Sequence, residues 1–135
     1  MQPPIGIDHL GIAVQSLEEA TRLYGDVLGL ACGGTEEIPD QKVRVTFFQL
    51  GDVRVELLEP TAEDSPIAKF LDKKGPGLHH VAYRVADLPA TLMALKAAGV
   101  RLIDKTPRTG AHGMQIAFAH PKSTGGVLTE FCQQK

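Results

Sequence analysis

An α+β fold made of two tandem βαβββ units is predicted by three observations. The chain repeats itself internally. Within each copy the apolar periodicity switches from alternation to helical spacing and back to alternation. A proline-marked linker separates the copies. The first copy opens with "IDHLGIAVQSLEEATRLYGDVLG" from residue 7, and the second with "LHHVAYRVADLPATLMALKAAG" from residue 78. His80 of the second copy stands where His9 stands in the first. In both, a strand-like run gives way to a short polar break and then to a helix-like segment closed by glycine, Gly29 or Gly99.

Each element follows from its own residues. In the first helix Leu17, Ala20, Leu23, Tyr24 and Val27 have the spacing of one buried face; Leu88, Leu92, Leu95 and Ala98 do the same in the second. Three strand-like stretches follow each helix. In the first copy these are "LACGGTEEI", "KVRVTFFQL" and "DVRVELLEP", the last two divided by the turn signal Gly51-Asp52. In the second they are "VRLIDK", "GMQIAFAH" and "GVLTEF". Between the copies lies "TAEDSPIAKFLDKKGPG". Here Ser65 before Pro66 reads as an N-cap with proline at the first helical position, opening one short helix that stops at Gly75. One domain over residues 1–135 is expected, with repeat units at about 5–60 and 78–133 and a connector at 61–77. A single βαβββ unit is too small to bury its own sheet face, so the two are expected to form one curved mixed sheet with a shared concave cavity.

Composition narrows the function classes. Apolar residues make up 43% and charged residues 22%, a globular balance. The net charge of -2 is dispersed, with no basic run to recruit nucleic acid. The two cysteines, Cys32 and Cys132, lack metal-site or redox spacing and fit free thiols in a reducing compartment. The start "MQPPIGIDHL" has no leader pattern, and no apolar run could span a bilayer, so a cytoplasmic protein is expected.

Strand alternation selects the candidate site. Leu10, Ile12 and Val14 form the row that packs under the first helix, so His9 projects to the opposite face beside Gly11 and Ala13. Val81, Tyr83 and Val85 form the second such row, which sends His80 to the cavity face with Ala82 and His79 to the helix side. By the same test Glu56 faces away from Val55 and Leu57, and Glu130 away from Val127 and Phe131. A solvated strand glutamate is the plainer reading of either carboxylate alone, because a buried one needs a cation or hydrogen-bond donors. Two of them at matching places, each following a matching histidine, point instead to an N/O metal site with positions open for substrate or water.

These residues carry a family resemblance. "IDHLGIAV", "VELLEP", "EDSPIAKFL", "GLHHVAYRV" and "HPKSTGGVLTE" resemble the vicinal oxygen chelate superfamily of glyoxalase I, extradiol dioxygenases and bleomycin-resistance proteins. Within it, the chain is most similar to the methylmalonyl-CoA epimerases over essentially its whole length. "EDSPIAKFL…GPGLHH" and "HPKSTGGVLTE" carry that finer resemblance. Glyoxalase I has an Asn-Trp-Gly stretch after its first metal glutamate, whereas Glu56 is followed by "LLEP" and the chain has no tryptophan.

The resemblance implies an isomerase that interconverts (2R)- and (2S)-methylmalonyl-CoA by removing and returning the α-proton through a metal-stabilised enolate. Its metal ligands fall on His9, Glu56, His80 and Glu130, with glutamine at position 56 in some epimerases. It implies one divalent cation per subunit, cobalt first, with manganese, nickel, magnesium or zinc as alternatives. Glu130 matches the family residue that also transfers a proton. The second proton-transferring glutamate of several bacterial epimerases falls on Val45, which cannot serve; a metal-bound water or His112 in "TGAHGMQI" would replace it. Lys122 in "HPKSTGG" would meet the substrate carboxylate or a CoA phosphate. A homodimer is the family's habit. The alternatives on the same scaffold are a glyoxalase I-type lyase acting on glutathione hemithioacetals and a non-enzymatic drug-binding protein.

Overall fold

A computed structural model describes residues 2–134. The chain divides into two compact units: one holds His9–His79, and the other holds the chain start through Asp8 and the segment from His80 onward.

The first unit is built on β1 (Gly6–Ala13, entering the unit at His9), α1 (Leu17–Thr21), β2 (Ala31–Ile38), β3 (Val43–Leu50), β4 (Val53–Pro60) and α2 (Pro66–Lys74). Its strands lie in the order β2-β3-β4-β1. β4 runs antiparallel to β3 and parallel to β1, so the sheet is mixed. Val14, Leu17, Phe48, Val55 and Leu57 close the core beneath the helix, joined by Ile12, Ala20 and Tyr24. Ser65 caps α2 by accepting the Ile67 N–H, with Pro66 at the first helical position.

The second unit contains β5 (Gly77–Arg84, entering at His80), α3 (Leu88–Ala97), β6 (Arg108–Thr109), β7 (Gln115–Ala119) and β8 (Thr129–Gln133). Its order is β5-β8-β7-β6, with β5 parallel to β8 and β7 antiparallel to β8. In both units the first strand therefore pairs in parallel with the last. Val85, Leu88, Leu92, Ala117, Ala119 and Phe131 form the core under α3. Ala82, Met114, Ile116, Phe118 and Cys132 pack on the opposite sheet face. The chain start joins this unit: Ile5 N–H donates to the Arg84 carbonyl at 2.8 Å, and Arg84 reaches the fully buried Asp8 at 3.2 Å.

The two halves anchor their helices alike. Leu17 N–H, at the start of α1, donates to Glu59 Oε2 at 2.8 Å; Leu88 N–H, at the start of α3, donates to Gln133 Oε1 at 2.6 Å. The capping side chains also correspond, Ser16 accepting from Glu19 N–H and Asp87 from Ala90 N–H. Each device satisfies N–H groups that a helix leaves unpaired at its start.

Two expectations need correction. The first helix stays α-helical only through Thr21 and continues as a π-helical stretch, Arg22–Val27. The wider turn swings Leu23 and Val27 outward, to 48% and 72% exposure, instead of burying them with Leu17. In the second half "VRLIDK" makes only an isolated bridge between Leu102 and Ala119. Asp104 interrupts the ladder, its carboxylate accepting the Phe118 N–H at 2.9 Å, and true pairing resumes at Arg108–Thr109.

Candidate functional site

The alternation of β1 and β4 puts His9 and Glu56 on the sheet face opposite the α1 core. His9 Nδ1 lies 3.4 Å from Glu56 Oε2, and both side chains are buried. Gly11, the β1 partner of Glu56, leaves room for them, while the buried Phe47 and then Gly34 continue the same row across β3 and β2.

The second unit builds the same pair. His80 Nε2 lies 3.3 Å from Glu130 Oε1, both are buried, and Phe118 meets the imidazole edge-on with ring centroids 5.5 Å apart. Glu130 pairs in register with Ala82, two residues beyond His80. His79 lies across the strand from His80, edge-on to Phe70 of α2 at 5.0 Å and only half buried. The two neighbouring histidines thus project from opposite faces of β5.

The donor chemistry fits a hard or borderline divalent cation. An ion with bonds of about 2.1 Å holds adjacent ligands about 3 Å apart, and each N···O separation approaches that edge. The same separations exceed the 2.7–2.9 Å of a good charge-assisted hydrogen bond, so neither pair is drawn as tight as an imidazolium-carboxylate contact would be. Neither thiol is in a disulfide; Cys32 is exposed and Cys132 buried.

The remaining candidates are placed differently. Lys122 is exposed on a 3-10 turn, Pro121–Ser123, whose start is capped by His120 Nδ1 accepting the Lys122 N–H. Desolvation, then the Arg101 and Lys122 charges, hold the His120 imidazole below its ordinary pKa. His112 is exposed in the turn Ala111–Gly113 with a left-handed φ of 58°. The structure buries neither Lys122 nor His112 with the His80–Glu130 pair. Val45 is buried on the face of Glu56, between Leu58 of β4 and the half-buried Glu36 of β2.

Arg54 was not among the sequence candidates. Its Nη2 and Nε donate to Glu56 Oε2 at 3.3 and 3.4 Å, from a side chain only 16% exposed. The signal was present: two residues before Glu56 on a strand, Arg54 had to share its face.

Two four-stranded mixed arrays of one topology, each carrying a buried imidazole-carboxylate pair on its non-helical face, define a duplicated βαβββ scaffold. Residues 8–118 match the model of the glyoxalase/bleomycin resistance protein/dioxygenase superfamily, and the chain belongs to that superfamily. Its relatives there include proteins named methylmalonyl-CoA epimerases. The ethylmalonyl-CoA/methylmalonyl-CoA epimerase of Cereibacter sphaeroides is 42% identical, over 94% of this chain and 96% of its own. The crystal structure of methylmalonyl-CoA epimerase from Mycobacterium tuberculosis superposes with a TM-score of 0.94 at 40% identity, covering all of this chain and 93% of that one. A methylmalonyl-CoA epimerase solved with methylmalonyl-CoA and ammonium gives a TM-score of 0.95 at 37% identity, over 98% and 96% of the two chains. The fold of this chain is therefore that of the epimerases, as the sequence resemblance implies.

Proposed function

We propose that the protein is a methylmalonyl-CoA epimerase whose two imidazole-carboxylate pairs, His9 with Glu56 and His80 with Glu130, hold one divalent cation per subunit. The single observation that carries this reading is the duplicated burial of the pairs, at 3.4 and 3.3 Å, in a chain whose relatives include epimerases. When bound, a divalent cation supplies Lewis-acid polarisation of the thioester carbonyl, which lowers the energy of the enolate formed on loss of the α-proton. Cobalt is the first candidate, and manganese, nickel, magnesium or zinc would suit the same donors.

Glu130 takes the α-proton in this reading. Its burial against Phe118 and Ala82 keeps bulk water from competing for that proton. Inversion requires a proton donor on the other face of the enolate. Val45 has no transferable proton, so water or His112 fills that role. Lys122 meets the substrate carboxylate or a CoA phosphate as a point charge from its exposed turn. The protein acts as a cytoplasmic homodimer, a state that light scattering on the purified protein reports.

The test is deuterium incorporation at the α-carbon of racemic methylmalonyl-CoA in heavy water, with and without chelator. Incorporation that stops on chelation and returns with added cation supports the reading. A protein with full metal content that exchanges nothing, or one that turns over a glutathione hemithioacetal instead, overturns it.

A further inference from the structure

The proposed donor set contains two carboxylates, yet one of them already has a cation beside it. Arg54 and Glu56 occupy the same face of β4, and Arg54 is the register partner of His9 on β1 and of Gln49 on β3. The guanidinium and His9 Nδ1 converge on one oxygen, Glu56 Oε2, at 3.3–3.4 Å and 3.4 Å. Glu56 is almost completely buried, and the Arg54 side chain is largely so. A buried carboxylate without a counter-charge costs several kcal/mol or takes up a proton. The two guanidinium N–H groups of Arg54 on that oxygen offset much of that cost before any ion arrives. Their long distances show contacts that a stronger ligand could displace.

We infer that Arg54 is a positioning residue of the metal centre, holding the Glu56 carboxylate in place in the cation-free protein and opposing the incoming cation with its own charge. This rests on the reading of Glu56 as a metal ligand. The guanidinium trades cation affinity for a fold that is stable without the cation. A fixed positive charge within a few ångströms of a partly buried site repels a divalent ion strongly enough to weaken binding by about tenfold or more. It also limits the negative charge of the site, leaving the bound ion a stronger acceptor toward substrate oxygens.

The experiment compares the parent, Arg54→Met, Arg54→Lys and the double variant Arg54→Met/Glu56→Gln. Cobalt chloride affinity is measured by titration calorimetry, and thermal midpoints are measured with chelator and with saturating cobalt. For Arg54→Met the expected result is cobalt binding at least about tenfold tighter, a lower midpoint in chelator, and a midpoint near the parent's once cobalt is bound. Arg54→Lys should stay near the parent in both measurements. The double variant, with no carboxylate charge left to compensate, should recover the chelator midpoint even if Arg54→Met alone folds poorly. Arg54→Met with unchanged or weaker cobalt binding and equal losses in both midpoints would overturn the inference while leaving the metal reading standing. A parent protein that takes up no cobalt, manganese, nickel, magnesium or zinc overturns the metal reading itself, and the inference with it.

Discussion

His79 meets the ring of Phe70 edge-on at 5.0 Å, while its chain neighbour His80 projects from the other face of β5 to lie 3.3 Å from Glu130. Adjacent residues of one strand thus have separate work, the first packing on α2 and the second facing a carboxylate. His80→Ala should remove most cation affinity, by about a hundredfold or more for a lost ligand, whereas His79→Ala should leave affinity within about threefold and lower stability by about 1 kcal/mol. Calorimetric titration of both variants checks this. Equal losses of affinity would mean that the facing of β5 has been assigned wrongly.

The sites that sequence made legible are those governed by a period of two. His9, Glu56, His80 and Glu130 could be placed because each sits in a strand with an unambiguous apolar row on its other face. Arg54 obeys the same rule but was hidden by its type, since a strand arginine reads first as a solvated charge. The fold was legible where pattern and propensity agree, in the βα beginnings of each half and in the Ser65-Pro66 cap. It was not legible where a side chain overrides the ladder. Asp104 takes the Phe118 N–H and moves the last pairing to Arg108–Thr109, and no apolar periodicity announces a π-helical stretch at Arg22–Val27.

A long-range contact shared by both halves gives a second prediction. Glu59 and Gln133 each stand three residues after the pair-forming glutamate of their strand and accept a helix-start N–H, from Leu17 and Leu88. Gln133→Ala should lower stability by about 1–2 kcal/mol, the usual value of a cap. Gln133→Glu should retain most of it, since a carboxylate oxygen accepts equally well and suits the positive end of the helix. Urea unfolding midpoints distinguish the two, and equal losses would show that packing rather than the acceptor matters.

His120 supplies a pH signature. Its imidazole is held below its ordinary pKa by desolvation first and then by Arg101 and Lys122, and its Nδ1 accepts the Lys122 N–H while unprotonated. With the folded pKa below the unfolded one, the unfolded chain binds the proton more readily, so stability falls with acidification. The loss begins as pH drops through the unfolded value near 6.5 and is complete once the folded value is passed. His120→Asn keeps an acceptor without a titrating group. Its thermal midpoint should therefore fall less than the parent's between neutral pH and a pH below 6. Parallel curves for the two proteins would remove His120 as a source of the slope.

In the proposed function Glu130 carries the heaviest chemical demand, because its carboxylate would both bind the cation and accept the proton. Glu130→Gln preserves shape and one oxygen donor but has no basic carboxylate. If the two roles coincide there, cation affinity should fall by about tenfold, a change that saturating metal can offset. Deuterium exchange at the substrate α-carbon should fall by about a hundredfold or more even at full occupancy, the usual contribution of a positioned general base. Measuring exchange against metal content in the same samples keeps the two effects apart. Exchange at the parent rate in metal-loaded Glu130→Gln would leave Glu130 as a ligand only and assign proton removal to another group. The matching substitution Glu56→Gln is the control. It alters the equivalent strand position in the other half, where no base role is assigned, and should change affinity without a comparable loss of exchange at saturation.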